Sequence, residues 1–361
     1  MSSIPSFHRR SIRKDDEILK NEKIAAGTGK SDEQTAMSVL REYGIQPESL
    51  TVIQSGGIKT VWKLRASGRW LCLKRLRQTI DKAQFSVNAQ IYVKNSGGLV
   101  PGVIPSLKNQ PIAEYEGQLF VLYEWIDGSD LNFSNAADLK KAIQGLARFH
   151  LASKGFRPAG DARVSTKVGK WPEQYTSMKN KLTAWKDTAA SRPVQPAYTA
   201  YLRHTDAMTA LADTALAQLS ASSYDKLSSE GSGSLVLCHQ DYGKGNALST
   251  ADGIYIIDLD GVTFDLPARD LRKIIGKQAQ NLGQWRAETI TNILGWYSEV
   301  NPQSRAETEI LLTDLLYPHW YYGLVKNRFQ NEKPLKTEEI ERAARLEKSK
   351  VRVLSELLKK G

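Results

Sequence analysis

Cysteine is scarce in this chain. There are two in 361 residues, Cys72 inside the run Trp70-Leu-Cys-Leu and Cys238 beside His239. Both read as small buried apolar residues, so a disulfide framework is excluded and a reducing compartment is the simplest setting. No run approaches the eighteen apolar residues of a membrane span, and the first residues carry no signal-peptide core. Zinc-ligand spacing, internal repeats and RNA-binding aromatic motifs are also missing. So is any basic helix of groove-reading pattern. Nucleic acid and membrane are therefore not expected partners, although the net charge is +11.

What is present is ordinary for a globular protein: 41% hydrophobic and 25% charged residues. The length suits one bilobal unit or two domains with a sizeable core. Residues 1–32 are polar and basic, with Arg9, Arg10, Arg13 and Lys14 and no sustained apolar periodicity, and read as a mobile tail. Within them Gly27-Thr-Gly29-Lys30-Ser31 imitates a phosphate-binding loop. The true loop needs a glycine at position 24, which is Ile24, and a preceding strand, which is absent.

The informative stretch is 235–260. The apolar run Leu235 to Cys238 reads as a buried strand, and His239-Gln-Asp241-Tyr-Gly-Lys-Gly-Asn246 as the polar loop after it. A second run, Ile254 to Ile257, ends on Asp258 and Asp260. This order of oxygen groups is what phosphoryl transfer from ATP requires. Asp241 can orient a substrate hydroxyl and accept its proton. Asn246 and Asp258 can hold magnesium, which takes few protein oxygens beside phosphate and water, and Asp260 could support a second ion. The plain alternative is a hairpin with an acid-rich turn.

Upstream, the pattern predicts a helix from Asp32 that stops near Tyr43-Gly44. Three short strands with glycine-bearing turns follow. Gly56 and Gly57 could lie over phosphates or simply make a hairpin. Lys74 could pair with the α- and β-phosphates or be an ordinary strand-end lysine. A helix is expected over 81–95, and after Asp81 it carries no acid. The strand Leu119 to Tyr123 leads into Glu124, Trp125 and Ile126, a connector whose backbone could meet adenine. Helical spacing resumes at Leu139, Ile143, Leu146 and Ala147, and 161–230 read as further helices. After 268 the chain reads as helical, with Thr337, Glu338 and Glu339 as a capping signal for the last helix.

Taken in order, Gly56-Gly57, Lys74, Leu122 to Gly128, His239 to Asn246, Ile257 to Asp260 and Asp265 to Asp270 resemble the aminoglycoside phosphotransferase and choline kinase family. The phrases Gly169-Lys-Trp171-x3-Tyr175, Thr263-x-Asp265-Leu-Pro-x-Arg-Asp270-Leu-Arg and Tyr317-Pro-His319 resemble its kinase-like Bacillus spore coat members of the S and I type. The resemblance implies an α+β, bilobal protein-kinase-like fold: a small antiparallel-sheet N-lobe over 33–125 and a mainly helical C-lobe over 126–361. It implies Asp241 as catalytic base, Asn246 and Asp258 as magnesium ligands, Lys74 on phosphate and Glu124 to Ile126 at adenine. Asp270 becomes a structural acid behind the loop. The family pattern would place a glutamate on the 81–95 helix to clamp Lys74; Gln84, Asn88, Gln90 or the ligand itself stand in its place.

Neither Asp-Phe-Gly nor Ala-Pro-Glu is present, and eleven residues separate Asp258 from Asp270, too few for a phosphorylatable activation segment. The expected acceptor is therefore a small or carbohydrate-like hydroxyl compound. Lys167, Lys170, Trp171, Tyr175, His319, Trp320 and Tyr321 are candidates to line its pocket, though aromatic residues at helical spacing also make core. The resemblance further implies cytoplasmic synthesis and residence in the spore coat among other coat proteins. Three functions follow in descending order: an ATP- and magnesium-dependent phosphotransferase, a coat component of kinase fold with little or no activity, and a binder of anionic polymer. Deleting residues 1–30 should leave ATP affinity, measured by titration calorimetry, within a few-fold of the full chain. Loss of binding would restore the phosphate-loop reading of Gly29-Lys30-Ser31.

Overall fold

Ser31 opens the first helix of the computed structural model, which describes residues 31–56, 59–192 and 194–360. The basic tail, most of the phosphate-loop imitation and Gly57 lie outside the described residues. The Ser31 hydroxyl accepts from the Gln34 amide at 3.2 Å, and the Gln34 side chain accepts from the Ser31 N–H at 3.0 Å. This reciprocal cap starts α1 (Asp32–Arg41), which buries Ala36, Val39 and Leu40. The chain divides into two compact units, residues 1–84 with 102–125, and 85–101 with 126–361.

The first unit is built on an antiparallel sheet. Strands β1 (Ser49–Gly56), β2 (Lys59–Ala66) and β3 (Arg69–Leu76) form the expected meander. Helix α2 (Ile80–Asn95) follows, then β4 (Val103–Ile104), β5 (Ala113–Tyr115) and β6 (Gln118–Glu124). The strand order is β1-β2-β3-β6-β4, with β5 also on β6. Alternation puts Trp62 and Leu64 of β2, Leu71 and Leu73 of β3, and Phe120 and Leu122 of β6 against the apolar face of α1. Arg75 reaches back to Asp32 at 3.2 Å and ties strand to helix.

Residues 85–101 were placed by the sequence with the first lobe, but Phe85, Ala89, Val93 and Val100 pack into the second unit's core. That unit continues with β7 (Ser129–Asp130) and the helices α3 (Ala136–Ser153), α4 (Trp171–Ala190), α5 (Pro196–Ala221) and α6 (Tyr224–Leu227). Four short strands follow: β8 (Val236–Cys238), β9 (Ala247–Thr250), β10 (Gly253–Ile256) and β11 (Thr263–Asp265). The last five helices are α7 (Ala268–Leu282), α8 (Ala287–Ser298), α9 (Arg305–Leu316), α10 (His319–Asn331) and α11 (Thr337–Lys360).

Two of those strands escaped the sequence reading. β9 has only Ala247 and Leu248 as apolar residues, and β11 is three residues long. Both are specified by partners: β9 pairs with β10 and β7, and β11 pairs with β8. The last cap also shifts. Thr337 is the first helical residue, and the capping bond runs from the Lys336 N–H to the Glu339 carboxylate at 3.0 Å.

Helix α7 carries Asp270, which bonds the loop after β8, and its fit against α10 is close. Gly276 faces Trp320 so tightly that an added Cβ would lie 1.5 Å from the indole Cζ2. Gly295 in α8 has nothing within 4 Å of the same atom. Gly276→Ala should therefore destabilise by about 1–3 kcal/mol through overpacking, outweighing its helix-propensity gain. Gly295→Ala should stabilise by about 0.5–1 kcal/mol. Urea unfolding of both variants checks the opposite signs.

Candidate functional site

The loop after β8 is shaped by a carboxylate from α7. Asp270 is 1% exposed and accepts two consecutive backbone N–H groups, His239 at 2.6 Å and Gln240 at 2.8 Å. Its third donor is His150 Nε2 at 3.2 Å. His150 Nδ1 faces the Tyr297 hydroxyl at 2.7 Å, and that oxygen accepts from Asn301 Nδ2 at 2.8 Å. Since the Asp270 carboxylate can only accept, His150 carries a proton on Nε2. Burial by itself raises the Asp270 carboxyl; the hydrogen bonds from His150 and the Gln240 amide bring it below the usual carboxylate range. His150, Cys238 and Asp270 group their potential ligand atoms closely, but His150 and Asp270 are already bonded to each other.

His239 ties this loop to the strand that presents Asp258. Its Nε2 donates to the Ile257 carbonyl at 2.9 Å, and its Nδ1 accepts from the Asp241 N–H at 3.3 Å. The His239 ring is therefore a positioning group with both nitrogens committed. Asn246 Nδ2 donates to the Asp241 carbonyl at 2.9 Å, and the Ile257 N–H donates to the Asn246 carbonyl at 3.1 Å. With its nitrogen engaged, Asn246 offers the amide oxygen to a cation. Asp241 is exposed, while Asn246, Asp258 and Asp260 are half-buried. Asp258 is left-handed, φ 62° and ψ 59°, at the start of the 3-10 turn Leu259–Gly261. Aspartate tolerates that conformation better than most residues. The structure thus brings Asp241, Asn246 and Asp258 together on two cross-bonded loops. Of these, Asn246 and Asp258 carry oxygen donors of the kind magnesium takes.

In the first unit, Lys74 is buried in β3 between Val61 and Val121. Gly56 ends β1 opposite Lys59. The expected adenine connector is partly committed. Glu124 exchanges main-chain and side-chain bonds with Gly102, from its N–H at 2.9 Å and to its Oε2 at 2.8 Å. The Trp125 N–H donates to the Trp70 carbonyl at 3.1 Å, and the Lys63 ammonium sits 4.3 Å from the Trp125 ring centroid. The Ile126 N–H has no partner among the described residues. On α2, the Gln90 amide donates to the Pro101 carbonyl at 2.6 Å.

The expected acceptor wall is where sequence reading needs correction. Trp171 and Tyr175 are 1% and 2% exposed, and Tyr321 is fully buried. Trp171 Nε1 donates to Asp265 at 2.9 Å, and Tyr175 bonds the buried Asp314. Asp314 also receives Arg272 at 2.8 Å and His319 Nε2 at 2.8 Å. Burial opposes ionisation of Asp314, but Arg272 and His319 bring its carboxyl well below the usual range. Burial, with Arg272, pushes the His319 imidazole down to about 4. Trp320 packs on Gly276 and edge-on to Trp285 at 5.4 Å. Trp171, Tyr175 and Tyr321 are therefore core residues of the second unit, while His319 and Trp320 are half-buried. Lys167 is held by its N–H at Phe264, and Lys170 follows it into α4. Strand register puts Asp265 opposite Val236 and Thr263 opposite Cys238. Lys167 therefore follows β11 away from the Cys238 end, where the loop carrying Asp241 leaves.

Sequence reading missed His150, Tyr297, Asn301, Gln240 and Lys273 as site residues. The first three are 120, 27 and 31 positions from Asp270, and no local pattern links them.

Comparison with known proteins gives a family and a fold. The family described as "Spore coat putative kinase YutH" matches residues 37–357. Spore coat protein S of Bacillus subtilis is 22% identical over 302 residues, covering 84% of this chain and 86% of that protein. An aminoglycoside phosphotransferase from Alicyclobacillus acidocaldarius superposes with a TM-score of 0.69 at 16% identity, over 90% of this chain and 94% of that one. An amicoumacin kinase in complex with AMP-PNP and Ca2+ gives 0.59 at 14% identity, over 94% and 96%. The fold is the bilobal kinase-like one of the aminoglycoside phosphotransferases. The chain belongs to the YutH family of kinase-like spore coat proteins.

Proposed function

We propose that the protein is an ATP- and magnesium-dependent phosphotransferase that acts on a hydroxyl of a small or carbohydrate-like acceptor, in the setting of the spore coat. The observation that carries the reading is the pair of loops in which Asp241, Asn246 and Asp258 are cross-bonded through His239 and Ile257. Asp241 takes the proton of the acceptor hydroxyl as its oxygen attacks the γ-phosphorus. The bond to the β-phosphate bridging oxygen breaks, and ADP leaves. Magnesium would be held by Asn246 and Asp258 and would supply charge neutralisation along the phosphates. Lys74 is assigned to the α- and β-phosphates, Gly56 and Gly57 to the turn over them, and the Ile126 N–H with the Glu124 to Ile126 backbone to adenine. The spore coat setting rests on family membership, and the nucleotide on the named complex of a structural neighbour.

A second reading, a coat component of kinase fold with little turnover, is favoured by one feature. After Asp81, helix α2 carries no acid where the related pattern has its glutamate.

Metal binding is read through thermal stability. ATP with magnesium at a hundredfold excess over Kd should stabilise the protein by about 2.7 kcal/mol. Asp258→Ala should lose the magnesium-dependent part of that shift, and an unchanged shift removes Asp258 from the role.

Turnover separates the two readings. With labelled ATP, magnesium and a panel of hydroxylated acceptors, wild type should transfer phosphate slowly but measurably, beginning with water. Asp241→Asn keeps the shape but not the proton acceptor, and should lower the rate about 100-fold or more while ATP still binds. Equal background rates in both proteins, with ATP bound by both, would establish the scaffold reading.

A further inference from the structure

Gln240, the residue before the base, has an uncommon backbone and no idle polar group on its main chain. Its φ is 68°, a left-handed conformation that favours glycine, asparagine or aspartate and costs glutamine on the order of 1 kcal/mol or more. Its N–H goes to Asp270 Oδ1 at 2.8 Å, and its carbonyl accepts from the Lys273 ammonium. Its side-chain amide donates to the Gly261 carbonyl. Gly261 closes the turn that begins at Asp258. Asp270 and Lys273 lie three residues apart on α7, so one helix face reaches Gln240 from two sides. Gln240 thus joins helix α7 to the turn of the proposed metal ligand, one residue from the proposed base.

We propose that Gln240 and Lys273 are positioning residues for phosphoryl transfer, setting the attitude of Asp241 against Asp258. The inference rests on the phosphotransfer reading above. Asp270 alone fixes only the amide side of residue 240. A peptide held at its N–H can still rock, and the carbonyl that joins Gln240 to Asp241 is the side that turns the base. Lys273 holds that carbonyl with a charge-assisted bond, about twice as strong as a neutral one. The Gln240 side chain transmits the same restraint to Gly261. Strain at residue 240 persists because three bonds over-determine it.

The test uses the full-length protein and four variants. Lys273→Met keeps the stem and removes the donor, Lys273→Arg restores a donor, Gln240→Gly removes the strain and the side-chain bond together, and Lys277→Met is a control elsewhere on the same helix. Hydrogen exchange of residues 239–246, melting temperature, kcat and KM for ATP are measured on each. Lys273→Met and Gln240→Gly should speed exchange of that loop about tenfold and lower kcat about tenfold to a hundredfold, with KM for ATP nearly constant. Lys273→Arg should recover most of kcat, and Lys277→Met should match wild type. A purely structural role would move melting temperature without this split or rescue. Unchanged loop exchange in Lys273→Met overturns the brace whether or not the protein turns over. Faster exchange with unchanged kcat overturns its part in the reaction. Absence of Asp241-dependent turnover in the wild type fells the phosphotransfer reading itself and, with it, any part for the brace in catalysis.

Discussion

Everything at the site depends on one buried carboxylate meeting two consecutive backbone amides. Asp270 lies inside the second unit, where an unpaired charge would be prohibitive. The His239 and Gln240 amides and the His150 ring compensate it. In return they determine the path of the chain as it leaves β8, and so the place of Asp241. Breaking such an arrangement by removing one partner costs about 3–5 kcal/mol in comparable buried pairs, far more than a surface ion pair contributes. The loop's geometry is thus coupled to the packing of α7 and α3, not left to the flexibility of Gly243 and Gly245.

One other buried acid repeats the device. Glu347 of α11 accepts the Trp320 N–H at 2.9 Å and the Tyr321 N–H at 3.0 Å, satisfying donors at the start of α10. Lys350, fully buried with it, neutralises the charge and donates to the Tyr317 carbonyl at 2.9 Å. Asp314 gathers Arg272, His319 and Tyr175 at the junction of α4, α7, α9 and α10. Arg272 is the neighbour of Lys273 and two residues from Asp270. Helix α7 is accordingly held by an ion pair through Arg272 and holds the loop after β8 through Asp270 and Lys273.

The candidate site was legible in the sequence where it is local. Asp241, Asn246 and Asp258 occur within eighteen positions, bounded by apolar runs that become β8 and β10. The meander and α1 were legible because alternation and a cap are short-range signals. The acceptor pocket was not. Trp171, Tyr175 and His319 carry the aromatic and basic character of a binding surface, yet their polar atoms meet Asp265 and Asp314, 94 and 139 positions from their partners on α4. A sequence shows that a tyrosine is amphipathic; only the fold shows which carboxylate satisfies it. The short strands β9 and β11 failed for the same reason, since pairing rather than composition defines them.

The strained residues bear on the choice between enzyme and scaffold. Gln240 and Asp258 are both left-handed without being glycine, and they flank the two loops that carry the proposed base and metal ligand. A chain that only needed to fold could place glycine at 240 and avoid a conformational cost on the order of 1 kcal/mol or more. Glycine could not span to Gly261, however, and one tie between the loop and the Asp258 turn would be lost. The additional tie fixes orientation, and orientation matters to reacting groups far more than to packing, because catalysis is sensitive to displacements that a core absorbs. Strain retained together with the bond that uses it therefore weighs toward an active phosphotransferase.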